Sequence, residues 1–319
     1  MEVAKSKISK LEEYTLYLIA LFIPIVTIPG WTYEYSTQKY AFFSILALIV
    51  LLGAVWDLRK RESLTVKFTL PAMGWGLFAL AALLSLFSVA AEDLPYLRYS
   101  GQVALYVVLT FIFAVYLINR VDSKRIMINI LGMLLISAGF ITLDAFINFY
   151  AGWDIWLGHI GVPYTRMNVR ATIGNPDFVP DYLGVMLFVA FYFLLSKDLG
   201  YKITKENAKK IYFRLSLIKS LVLIEAISMV AVIIFAQTRG DYLAVPASFV
   251  FFALSYTYYQ NFKKKDTTDA KKSPEVSYIY KKLRNLTTVF IIVFIFAVLL
   301  EFVLYSVPGP FTGGKFSVF

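Results

Sequence analysis

Nine runs of apolar residues, each about as long as a bilayer is thick, govern what this chain can fold into. They cover residues 14–30, 40–56, 68–90, 102–118, 126–149, 178–196, 215–236, 242–259 and 286–307. A helix needs roughly 20 apolar residues to cross the hydrocarbon core. Lipid offers no partner to an open backbone N–H or C=O, so helices that bond internally are the economical answer. The runs predict an all-α, polytopic helical membrane protein of about nine transmembrane helices, with residues 1–319 forming one transmembrane domain. Composition agrees, with 59% hydrophobic and 16% charged residues. Soluble domains carry about 45–50% and about 25%. That excess excludes both a soluble enzyme built on one core and a disordered chain.

The charges between the runs give a direction. Of the 31 lysines and arginines, 25 lie in segments 1–13, 57–67, 119–125, 197–219 and 260–285. Only six lie on the other side: Lys39, Arg98, Arg166, Arg170, Arg239 and Lys315. The positive-inside rule then predicts a cytoplasmic N-terminus and an outer C-terminus, in a multi-pass protein of the cell (inner) membrane. The first run follows Lys5, Lys7 and Lys10 but ends in Pro29-Gly30-Trp31, with no small-residue cleavage site, so it reads as a retained anchor. The net charge of +10 is topogenic on this reading, and no nucleic-acid partner is expected.

The outer cations run against the bias. An arginine at mid-bilayer costs about 2.5–3.5 kcal/mol on insertion scales. One reading is snorkelling or local pairing, Arg98 with Asp93 and Arg239 with Asp241. The other joins Arg170 and Arg239, which both sit beside glycine-containing turns. Planar guanidinium groups meeting in one cavity suit a phosphate or pyrophosphate. Arg166 and Lys39 are further candidates for that anion.

The longest outer segment, 150–177, carries Trp153 and Trp156 at helical spacing, with Tyr164 beyond. It predicts a short interfacial or re-entrant helix. Then comes Arg170-Ala-Thr-Ile-Gly-Asn-Pro-Asp-Phe178. Asn175-Pro176 reads as a turn, with Asn175 capping a helix that Pro176 opens. Free N–H groups at that helix start would face the anion beside Arg170, whereas the plainer reading is an ordinary capped helix.

His159 is the only histidine. It is either a general base near neutral pH or a structural histidine beside tryptophans. Asp144, Glu225 and Glu301 are acids that fall inside runs. Asp144 is placed to pair with an outer arginine, as is Asp241. Glu225 reads as structural, within reach of Lys219. The chain has no cysteine, which excludes disulfides and thiolate sites. There is no phosphate-binding glycine loop and no dinucleotide fingerprint. Neither a metal nor a cofactor is expected.

Two short stretches carry a resemblance. Arg170-Ala-Thr-Ile-Gly-Asn-Pro-Asp-Phe178 resembles the Gly-Asn-Pro-Asn stretch of the O-antigen ligase and polymerase family. Gln237-Thr-Arg-Gly-Asp-Tyr-Leu-Ala244 resembles that family's Ser-Arg-Gly-Ala-Trp segment. Pro24, Pro29-Gly30 and Lys39 fit its N-terminal layout. The resemblance implies a polytopic glycosyltransferase of polysaccharide or lipopolysaccharide biosynthesis. Such an enzyme moves a glycan from an undecaprenyl-pyrophosphate donor to a lipid-linked or glycan acceptor at the outer face. Arginines matching Arg170 and Arg239 would hold the pyrophosphate as it leaves. The family's general-base histidine lies in a large outer loop further on. His159 does not match it in order, and the catalytic base stays unassigned. Residue 319 falls where that loop begins, so the resemblance implies a shortened chain. Two rivals remain: a flippase or transporter that grips a lipid-linked saccharide, and a non-catalytic piece of a split ligase.

Overall fold

The computed structural model describes residues 8–30, 35–59, 66–88, 94–196, 199, 208–237 and 244–249. Seven helices fall on the first seven apolar runs: α1 (Lys10–Ile25), α2 (Thr37–Leu58), α3 (Leu70–Ser85), α4 (Leu94–Arg120), α5 (Lys124–Ala151), α6 (Phe178–Leu195) and α7 (Ala208–Ala236). Between α5 and α6 lie two short strands, β1 (Trp153–Asp154) and β2 (Gly158–His159). All of the long helices but α1 are long and apolar enough to cross a membrane, six in number. They point to a multi-pass membrane protein. Of the eighth run only residues 244–249 are described, and they are helical. The ninth run, with Glu301, lies outside the described residues.

The first helix is shorter than its apolar run and is shifted toward the N-terminus. Ser9 Oγ accepts the Glu12 N–H at 3.2 Å, and Glu12 Oε2 accepts the Ser9 N–H at 2.8 Å. This reciprocal capping box starts the helix at Lys10. Pro24 has no N–H to continue the ladder, and Val26 is already extended. Sixteen residues give roughly 24 Å, short of a bilayer core of about 30 Å. In contrast, α4 and α7 begin upstream of their apolar runs. Arg98 on α4 and Lys209 and Lys210 on α7 are exposed in those extensions, where charged heads can reach water.

The chain divides into two compact units, Met1–Ser137 and Ala138–Phe319. The division falls within α5. In the first unit α1 packs on α2, and α2 and α3 both pack on α4. Its core joins Leu16 of α1 to Phe43, Ala47 and Val50 of α2 and to Phe113 and Tyr116 of α4. The Phe43 ring meets Tyr106 and Phe113 edge-on, with centroids 5.6 and 5.3 Å apart. Gly76 lets α3 approach α4, since a Cβ there would come within 3.1 Å of the Phe111 ring. The rest of α3 exposes Leu77, Phe78, Leu80 and Leu84, which suits lipid and not water.

The second unit is built on α6 against α7, with the later turns of α5 also packed on α7. Phe149 stacks on Phe235 at 4.6 Å between centroids, and Phe146 meets the same ring edge-on at 5.7 Å. Glu225 lies against Gly139, where an added Cβ would sit 3.3 Å from its Oε1. Lys219, within reach of Glu225 by sequence, donates to the Ser196 carbonyl.

Candidate functional site

The loop from α5 to α6 is held from inside by one asparagine. Asn148 and Asp144 are one helical turn apart on α5, and both are fully buried. Asn148 Nδ2 donates to Asp144 Oδ1 at 3.1 Å and to the Trp153 carbonyl at 2.9 Å. Its Oδ1 accepts the backbone N–H of Ala171 at 2.8 Å. A single side chain therefore ties the helix to the hairpin and to the segment that carries Arg170. A buried amide with partners on all sides is stabilising, whereas the same group left open is costly.

The predicted short helix at 150–177 is absent. The segment instead forms a two-stranded hairpin, with Trp153 opposite His159 and Asp154 opposite Gly158. Two 3-10 turns follow, Arg166–Asn168 and Ala171–Ile173. Glycines decide this. Gly152 (φ +62) packs so closely on the backbone that a Cβ would fall 2.1 Å from the Gly161 carbonyl oxygen. Gly158 also has a positive φ of 79. These conformations interrupt a helix and favour a reversal. The carboxylate of Asp154 then accepts the N–H groups of Trp156 and Leu157, both at 2.8 Å. Asp144 Oδ1 accepts the Ile155 N–H at 3.0 Å.

Asp144 was expected to pair with an outer arginine, and one of these, Arg239, lies outside the described residues. Among the described residues the partners of Asp144 are Asn148 and Ile155, and no arginine reaches it. Arg166 is also committed: it forms an ion pair with Asp177. Asn175 does not cap α6. The helix begins two residues after Pro176, at Phe178, with Asp177 at the cap position. Asn175 Oδ1 accepts the Asp177 N–H at 2.8 Å in a local turn, and its carbonyl accepts from Phe178 and Val179 at 3.1 and 3.2 Å. Pro180 has no N–H to give. The predicted ring of free N–H groups at this helix start is therefore already consumed.

Arg170 remains. It is half-buried, its Nε donates to the Met167 carbonyl at 2.7 Å, and no described group takes its two terminal amino groups. Its backbone is fixed on both sides. Its N–H donates to the Asn168 carbonyl at 2.6 Å, and its carbonyl accepts from Gly174 at 2.9 Å. The next residue, Ala171, is fully buried with φ +43, a conformation that an alanine adopts only under constraint. Asn148 supplies that constraint. The turn 171–173 rests on α6 and the turn 166–168 on α7.

Lys39 belongs to the first unit, where its ammonium donates to the Pro24 carbonyl at 2.6 Å, at the C-terminal end of α1. That is a favourable place for a cation. His159 is exposed on β2, and no described carboxylate orients its ring. Arg239 and Asp241 lie outside the described residues, as do Asp93 and Lys315. Sequence reading missed Asn148 and Asp154. The signal for Asn148 was present: a second polar residue four positions after Asp144 inside an apolar run.

No known protein family, curated protein or solved structure matches the chain. The fold defines the class: an all-α protein with six helices able to cross a membrane and a braced, arginine-bearing loop between two of them.

Proposed function

We propose that the chain is a membrane glycan ligase or polymerase of the O-antigen ligase type, working at the outer face of the cell membrane. It takes a glycan from an undecaprenyl-pyrophosphate donor and passes it to a lipid-linked or glycan acceptor. The observation that carries this reading is Arg170, whose terminal amino groups stand unengaged on a backbone fixed by Asn148 through Ala171. A guanidinium that is already positioned loses little on binding an anion, and it suits pyrophosphate oxygens in a bidentate contact. The charge distribution supports the face, because the loop segment lies among the six cations opposite the 25.

In the proposed reaction an acceptor hydroxyl attacks the anomeric carbon of the donor sugar. The bond to the pyrophosphate oxygen breaks, the electron pair leaves with the pyrophosphate, and the hydroxyl proton is released to water. Arg170, with Arg239, stabilises that developing charge. Arg166 and Asn175 both engage Asp177, and in this proposal the anion falls to Arg170.

The direct test is donor binding. The full chain in nanodiscs should retain undecaprenyl pyrophosphate in native mass spectrometry, and Arg170→Ala should release it. Equal retention by both forms, or none by the wild type, would contradict the proposal. Passage of a lipid-linked saccharide across proteoliposomes without transfer would favour the flippase instead.

A further inference from the structure

We infer that the β1–β2 hairpin is a re-entrant element that dips into the outer leaflet, and that the surface of its tip is covered by bilayer lipid. The inference needs the chain to be in a membrane and does not depend on glycan transfer.

The hairpin follows α5 directly but does not continue away from it. Ile155 donates its N–H to Asp144, seven residues before the last residue of α5, Ala151. The Trp156 ring lies 6.2 Å from the ring of Phe140, eleven residues before Ala151. At 1.5 Å per residue the tip lies roughly 10–16 Å back along the helix from its end. A helix of 28 residues is roughly 42 Å long and overshoots a core of about 30 Å by only about 6 Å at each side. The tip therefore lies below the headgroups, at hydrocarbon depth.

The N–H groups of its tip are arranged for that depth. Non-helical backbone in a bilayer is tolerated only where protein satisfies it. The N–H groups of Ile155, Trp156 and Leu157 are each taken by Asp144 or Asp154, and both acids are fully buried. The sequence from Ala145 to Thr165 holds no lysine, arginine or glutamate, and its only aspartate is that buried Asp154. Apart from His159 at its base on β2, what the hairpin exposes is apolar: Trp153, Ile155 and Trp156. Leu143 and Tyr150 on α5 are exposed as well. Amphipathic tryptophans favour this boundary over water.

Two independent probes test it on the full chain in phosphatidylcholine proteoliposomes. The first keeps Trp156 as the sole tryptophan, with Trp31, Trp56, Trp75 and Trp153 changed to Phe. Lipids brominated on the upper acyl chain should extinguish most of its emission, and aqueous acrylamide should take little. The second uses the absence of cysteine. A nitroxide on Ile155→Cys should collide more with oxygen than with a water-soluble nickel chelate, and one on Asp122→Cys, in the exposed turn before α5, should do the reverse. Strong quenching by acrylamide with none by bromolipid, or a nickel-accessible nitroxide at position 155, would overturn the inference.

Discussion

Asn148 and Ala171 lie 23 residues apart in sequence and are joined by a 2.8 Å hydrogen bond in a fully buried setting. The bond holds Ala171 at φ +43 and so fixes the backbone from which Arg170 projects. Asn148→Ala removes this acceptor and also the donor to the Trp153 carbonyl. Each buried group left open costs about 1–3 kcal/mol. Hydrogen exchange should show the Ala171 amide exchanging much faster, while amides in the first unit keep their rates.

The hairpin depends on glycine at one close approach. Gly152→Ala would drive its Cβ to 2.1 Å from the Gly161 carbonyl, and no side-chain movement relieves a clash with backbone. Gly158→Ala meets only the Trp153 ring, at 3.7 Å, and pays only for its positive φ, about 1 kcal/mol. Thermal unfolding of the two variants in micelles should place Gly152→Ala well below Gly158→Ala.

In the first unit the Glu12–Arg120 pair joins α1 to α4 at 2.9 Å, with both side chains almost fully buried. Tyr116 donates to the same carboxylate at 3.2 Å. Breaking a buried pair from one side leaves the other charge uncompensated and costs about 3–5 kcal/mol. Arg120→Met and Glu12→Leu should each destabilise by that amount. The double variant should lose less than either single one, because apolar replacement of both is often close to neutral. Denaturant titration of all three in one detergent checks this.

The same carboxyl gives a pH dependence. Burial pushes the Glu12 pKa up, but the Ser9 N–H and Arg120 outweigh it and hold the group below its ordinary 4.5. A depressed folded value means the contribution is fully present above the unfolded pKa. It is lost as pH falls through the lower folded value. Unfolding free energy should therefore decline below pH 4.5, and Glu12→Gln should flatten that part of the profile.

Apolar run length placed the first seven helices, because the bilayer imposes it. It misjudged ends wherever local chemistry took over. The Ser9–Glu12 box and Pro24 set the limits of α1, neither of which a hydropathy count senses. Arg170 stood out in the sequence because it is one of the six cations set apart from the other 25. The Trp153/Trp156 spacing misled, since i, i+3 fits a helical face and equally a strand followed by a turn. The glycines at 152 and 158 argued for the turn. The commitment of Asn175 to its own backbone, and of Arg166 to Asp177, depends on how the loop closes, which no spacing in the chain encodes.

The account rests on Arg170 gripping a leaving pyrophosphate, and glycan transfer in proteoliposomes tests it most directly. With an undecaprenyl-pyrophosphate-linked glycan and acceptor supplied, Arg170→Ala should cut transfer by about 10²–10³-fold. Arg170→Lys should recover only part, since an ammonium lacks the planar fork. Membrane insertion, read by protease protection of the loops, should stay unchanged. Wild-type rates of transfer in Arg170→Ala, with insertion intact, would contradict the account.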